Sequence, residues 1–224
     1  MRVRVSTTAL GVAAVLLALP SCSTDTTGVK YQTAPSARTG KPAALSSAAL
    51  EPRLLDESDL GGGYLRKPER PTQHDDVTVI GCPALSKLGG GTATGGTLTF
   101  PHMAKVTFTY GGGSSEISEE LYSDSAKKLS GGISRIFDAM TGCPTYQVVA
   151  GGASVGIASQ KLPTPHDLGD ERWSQFLTFS AGGRSTVVKQ TAIRDGNLLL
   201  IVSGSPALVD RHLAAALDKA TATS

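Results

Sequence analysis

Apolar side chains follow different rules in different stretches of this 224-residue chain. Residues 9–19 form an unbroken apolar run behind Arg2 and Arg4. From 23 to 42 the pattern dissolves into Ser, Thr, Ala, Pro, Gly and Lys around one aromatic, Tyr31. Between 44 and 55, Leu45, Ala48, Ala49, Leu50, Leu54 and Leu55 recur near the helical period, which predicts a helix that Pro52 splits into two short pieces before Gly61, Gly62 and Gly63. Residues 82–88 predict one or two helical turns, closed by glycines 89–91. Residues 105–110 alternate as a strand does, and 116–122 predict a pairing partner across the glycine turn at 111–113.

Ser123 or Asp124 is the expected N-cap of a helix reaching Thr141. Leu129, Ile133, Ile136, Phe137 and Met140 lie at the spacing of one buried face. Gly131 and Gly132 inside it each cost about 1 kcal/mol relative to alanine. Gly142 and Pro144 bracket Cys143 as a helix stop. Beyond it the period becomes two. Residues 146–149, 154–160, 173–180, 185–193 and 197–202 read as strands, separated by Gly151–Gly152, a loop at 162–171, Gly182–Gly183 and Asp195–Gly196. Such tight connections imply antiparallel neighbours. A last helix starts at Pro206 after Ser205, with Leu208, Val209, Leu213, Ala216 and Leu217 on one face. The fold class expected is α+β: an antiparallel sheet with helices packed on one face and one disulfide.

The first 21 residues have the layout of a secretory signal peptide, with a basic start and an apolar run too short to span a bilayer. That run ends at Leu19, Pro20, Ser21 and Cys22, which resembles the lipobox of bacterial lipoproteins. The resemblance implies cleavage before Cys22 and a diacylglyceryl group on its thiol, so the expected partner is a membrane surface and the expected location its extracytoplasmic side. Residues 22–44 then read as a lipidated start and disordered tether, about 25 Å in r.m.s. span. Residues 45–224 form a single domain of ordinary size. The formal charge of +2 loses Arg2 and Arg4 with the leader and becomes zero, leaving no electrostatic case for nucleic acid.

Cys82 and Cys143 would then sit in an oxidising compartment, where two thiols pair, free thiols being the alternative. His74, His102, His166 and His212 are scattered without ligand spacing, so no metal site is expected, and no cofactor motif occurs. Gly152-Ala153-Ser154-Val155-Gly156 matches G-x-S-x-G, with Asp170 or Asp195 and His212 in hydrolase order. A nucleophile elbow needs a helix after the serine, whereas strand-like alternation follows Ser154, so a glycine-rich hairpin is the better reading. Asp167, Asp170 and Glu171 beside His166 and Trp173 read as a solvated loop next to an aromatic core anchor.

Several short motifs together resemble a family. Asp59-Leu60-Gly61-Gly62-Gly63-Tyr64, Gly81-Cys82, a helix ending at Cys143, Leu168-Gly169-Asp170 and Arg194-Asp195-Gly196-Asn197 are similar to actinobacterial sensor-domain lipoproteins and to the extracellular domain of PknH-type mycobacterial receptor serine/threonine kinases. The resemblance spans about 45–223. It implies an antiparallel sheet flanked by helices, a cleft that takes a ligand, and no catalytic residues. The function expected is a lipid-anchored, non-enzymatic sensor-like domain with its cleft between sheet and helices. Its rivals are an envelope protein-interaction lipoprotein without a small ligand and a serine esterase through Ser154.

Overall fold

The computed structural model describes residues 43–69, 77–89, 100–113, 115–164 and 166–222, all within one unit, Gly40–Ser224. The expected leader, Cys22, residues 23–42, His74 and Gly90–Gly91 lie outside the described residues.

Nine strands form one antiparallel sheet: β1 Tyr64–Arg66, β2 Thr78–Ile80, β3 Met103–Tyr110, β4 Ser115–Ser123, β5 Thr145–Ala150, β6 Ala153–Lys161, β7 Glu171–Ala181, β8 Arg184–Asp195 and β9 Leu198–Gly204. Their order is β1-β3-β4-β9-β8-β7-β6-β5-β2, so β1 and β2 form its two edges. Five helices join it: α1 Ser47–Leu50, α2 Glu57–Leu60, α3 Pro83–Ser86, α4 Ala126–Gly142 and α5 Pro206–Thr221. Pro52 divides the first helical stretch as expected, with α1 continuing as a single 3-10 turn over Glu51–Arg53. The α+β class and the antiparallel sheet agree with the sequence pattern.

Helices cover one face in each half of the sheet, and the covered face changes between halves. Paired residues in register share a face, and alternate residues take opposite ones. On the first face, α5, α1 and α2 pack on Val106, Phe108, Ile117, Leu121, Ile193, Leu200 and Val202. On the second, α4 packs on Tyr122, Ala192, Leu199 and Ile201, and its later turns with α3 cover Tyr146, Val148, Ile157 and Leu177. The central strand β9 is covered on both sides, which is why Leu198, Leu199, Leu200, Ile201 and Val202 form an unalternated apolar run, all buried. Burying each such side chain contributes about 1.5–3 kcal/mol.

Three local features depart from the sequence pattern. The N-cap of α4 is Ser125 and not Ser123 or Asp124. β4 continues through Ser123, whose hydroxyl bonds Asn197 O at 2.9 Å, and Asp124 accepts from Ser125 N at 2.6 Å. Helix α2 has no apolar periodicity; it is held by a reciprocal capping box in which Asp56 accepts from Asp59 N while Asp59 accepts from Asp56 N. Edge strands β1 and β2 span three residues each and carry no period to read. Gly132 in α4 has a packing reason: a Cβ there would lie 2.7 Å from Phe100 Cζ.

Cys82 and Cys143 are bonded, with Cα atoms 5.6 Å apart across 61 residues. The bridge joins the residue before α3 to the residue after α4, inside the cluster of Val79, Leu85, Met140, Tyr146 and Leu177. Closing a loop of that length stabilises by about 4 kcal/mol on the chain-entropy model. Cys82→Ala and Cys143→Ala should therefore destabilise equally, by up to that amount in urea unfolding, and the double variant should be no worse than either. Additive losses would show that the two residues act independently.

Candidate functional site

The serine motif does not assemble. Ser154 lies in β6, paired with Val149 across the β5–β6 hairpin, and β6 runs on without a helix. Two residues on, Gly156 faces Ser180, which faces Ser185. That point on β8 is ten residues from Asp195, about 30 Å along the strand. His212 is buried in α5 and shares a 2.6 Å hydrogen bond with Tyr64 Oη. Burial, with Arg211 adding repulsion, lowers its pKa.

The acidic loop is structural. Arg194 donates to Asp170 at 2.8 Å and to Glu171 at 2.7 Å; Asp170 also accepts from Gly196 N, and Ser130 of α4 donates to Glu171. These bonds staple residues 166–170 to the β8–β9 turn. The backbone hydrogen bond to Gly196, followed by that to Arg194, lowers the pKa of Asp170; for Glu171 the Arg194 hydrogen bond leads. Trp173 packs against Phe137, ring centroids 6.4 Å apart. Asp167 and His166 are exposed. Among the described residues no cluster of three His, Cys, Asp or Glu could hold a metal.

The uncovered quarters of the sheet differ in chemistry. Over β3 and β4 the second face carries the ion pairs Lys105–Glu120 and, nearer the edge, Lys67–Glu116. A cleft of about 690 Å³ runs along this edge between the 3-10 turn and β1 and β3, bordered by Glu51, Leu54, Arg66 and Lys105. Over β2, β5, β6 and the outer part of β7 and β8, the first face is open. One cross-strand row there is Ile80, Gln147, Gly156, Ser180 and Ser185; the next is Thr145, Ala158, Thr178 and Val187. Thr78, Ser154 and Gln160 extend it along their strands.

Among the described residues no charged side chain occurs on this open face until Lys189, which pairs with Asp210 where α5 begins to cover the sheet. With 18 % of the chain charged, that gap is a property of the surface and not of the composition. The small side chains of Gly156 and Ala158 form the floor of a trough of about 540 Å³, walled by Ile80, Gln147 and Ser180. Ile80 and Val187 are the exposed large apolar residues here and stand at opposite margins, so the face is not a continuous apolar patch. The signal for it was present in the sequence as alternating Ser, Thr and Gln in strands 5–7, but which face the helices leave free is a tertiary fact.

The most perturbed buried acid lies under the other half. Glu119 is 1 % exposed between Val106 and Val202; its Oε2 accepts from Leu55 N at 2.7 Å and its Oε1 has no partner. Burial pushes its pKa up to about 7, against the Leu55 hydrogen bond and the attraction of Lys219, with Asp59 adding to the rise. Lys219 itself bridges Asp56 and Asp59, holding α2 against α5. Because the folded-state pKa of Glu119 exceeds its ordinary value of 4.5, the protonated form stabilises the fold. That contribution is fully present below pH 4.5 and is lost as pH rises through 7. Relative to Glu119→Gln, the parent should lose about 3 kcal/mol between pH 4.5 and 8 in chemical denaturation. Parallel stability profiles for the two proteins would refute a buried, proton-linked Glu119.

No protein-family model matches this sequence, and no curated protein sequence matches it. Among solved structures, the extracellular domain of PknH from Mycobacterium tuberculosis is similar, with a TM-score of 0.58 and 14 % identity, covering 81 % of this chain and 98 % of that one. An uncharacterized protein from Mycobacterium smegmatis aligns with a TM-score of 0.43 and 10 % identity over 74 % of this chain and 93 % of that one. The first likeness bears out, at the level of the fold, the resemblance carried by the sequence motifs: this chain shares the fold of a mycobacterial kinase extracellular domain.

Proposed function

We propose that this chain is a lipid-anchored, extracytoplasmic binding module of the sensor-domain kind, acting without catalysis. The observation that carries the reading is the open trough of about 540 Å³ on a rigid sheet face, whose lining offers hydroxyls, amides and small apolar groups but no carboxylate, imidazole or thiol. Such a surface suits recognition, because acid–base or nucleophilic chemistry needs groups of the kind it lacks. The buried Cys82–Cys143 bridge supports an oxidising compartment. The shared fold with an extracellular domain supports the same placement. The lipobox-like residues 19–22 support an anchor on Cys22, with the membrane as the first partner.

The binding reading is tested by native mass spectrometry of residues 45–224 purified gently from an extracytoplasmic expression host. The expected result is a reproducible adduct that is released on denaturation; a bare monomer in every preparation overturns ligand binding and favours a protein partner. For the anchor, Cys22→Ala should move the protein from the detergent-extracted membrane fraction to the soluble one and abolish incorporation of labelled palmitate. Retention of both would place the anchor elsewhere.

A further inference from the structure

Deepening the binding reading above, we infer that the open face takes an uncharged, hydroxyl-rich polymer, the chemistry of a neutral polysaccharide strand. Three observations lead there. First, among the described residues the face carries no charge up to Lys189, which is itself neutralised by Asp210. A phosphate, a sulfate, an acidic glycan or a peptide terminus would find no counter-charge on it, and each is normally met by Arg, Lys or a carboxylate. Second, several of its polar groups are uncommitted, although Ser180 and Ser185 share a hydrogen bond of 2.9 Å. Thr145, Gln147 and Gln160 are exposed, and no hydrogen bond among the described residues engages their side chains. Amides and hydroxyls supply both donors and acceptors, which is what a ligand of hydroxyl groups requires.

Third, the face is regular and has no anchor for a protein partner. Antiparallel strands set the side chains on a grid of about 4.8 Å across and about 6.8 Å along the strands, a periodic surface for a periodic ligand. Protein interfaces concentrate their energy in Trp, Tyr and Arg seated in pockets. The described side chains of this face include none of these. Its one aromatic, Phe176, is half-buried. Ile80 and Val187 at the margins can meet the apolar C–H faces of sugar rings while the rows between them meet the hydroxyls. The trough floor of Gly156 and Ala158 lets the ligand approach the backbone.

The test is two-dimensional NMR of the isotope-labelled full chain in a non-glycosidic detergent, titrated with cellohexaose, N-acetylchitohexaose and a sulfated heparin hexasaccharide. The inference expects at least one neutral hexasaccharide to shift the signals of Thr145, Gln147, Ala158 and Thr178, and the sulfated one not to. Ala158→Glu and the near-isosteric Gln147→Glu should each weaken that binding about tenfold without lowering Tm, because each places an unpaired charge under the ligand. Gln147→Glu keeps the test valid if Ala158→Glu fails to fold. No shift with either neutral sugar, equal shifts with the sulfated one, shifts elsewhere, or a dimer that Ala158→Glu dissolves would each overturn the inference. If instead the adduct seen by native mass spectrometry is lost in Ala158→Glu but its mass is not that of a carbohydrate, the binding reading stands and only the ligand class falls.

Discussion

Everything in this domain hangs on a strand that has no water on either side. Leu199 and Ile201 point to α4, and Leu198, Leu200 and Val202 point to α5 and the first helices, so the two apolar clusters share β9 as a common wall. An antiparallel sheet ordinarily keeps one face wet. Here the central strands give that up, and the chain compensates by leaving the opposite corners of the sheet bare. Covering β9 twice with only two long helices means that each helix can reach only half of nine strands. The open face is thus a geometrical by-product of how the core is built, and its chemistry is the part left for function to shape.

Most buried polar side chains find a partner among their neighbours. Gln175 donates to Gln190 at 2.9 Å, Ser174 and Thr191 share a bond of 3.0 Å, and Tyr122 donates to Glu120 at 2.6 Å. Among the described residues two carbonyl-type oxygens are left without a partner, Gln175 Oε1 and Glu119 Oε1, and Glu119 sits where the first helices are clamped to the sheet by Leu55 N, Lys219 and the Arg53 bond to Ala220 O.

How far the sequence could be read follows from the length and period of each element. The hairpins from β5 to β9 were legible because Gly-Gly and Asp-Gly pairs punctuate runs of period two. α4 and α5 were legible because their apolar stripes are long. α2 was not, since its four residues are held by two aspartates and no stripe, and β1 and β2 are too short to show alternation. The run at 198–202 carried more information than its reading as a strand: five apolar residues without alternation already announce two covered faces. The candidate face was legible only as composition, because strand parity says which residues share a side but not which side a helix will choose. The acidic loop at 166–171 was correctly a loop, and its partner Arg194 lay in a strand too far along the chain for spacing to reveal.

The point at which the chain enters the domain has an orientation built into it. Ala43 O accepts from Asn197 Nδ2 at 2.6 Å and Leu45 N donates to Ser123 Oγ at 2.9 Å, which pins the entry to the end of the sheet where β4 finishes and β9 begins. The β7–β8 hairpin and the row through Gly156 lie at the other end of β8, the neighbour of β9, roughly 30 Å away. Along β8, the row through Ser185 therefore lies at the end opposite the point where the chain enters, so the entry and the uncharged face make separate demands on the same strand.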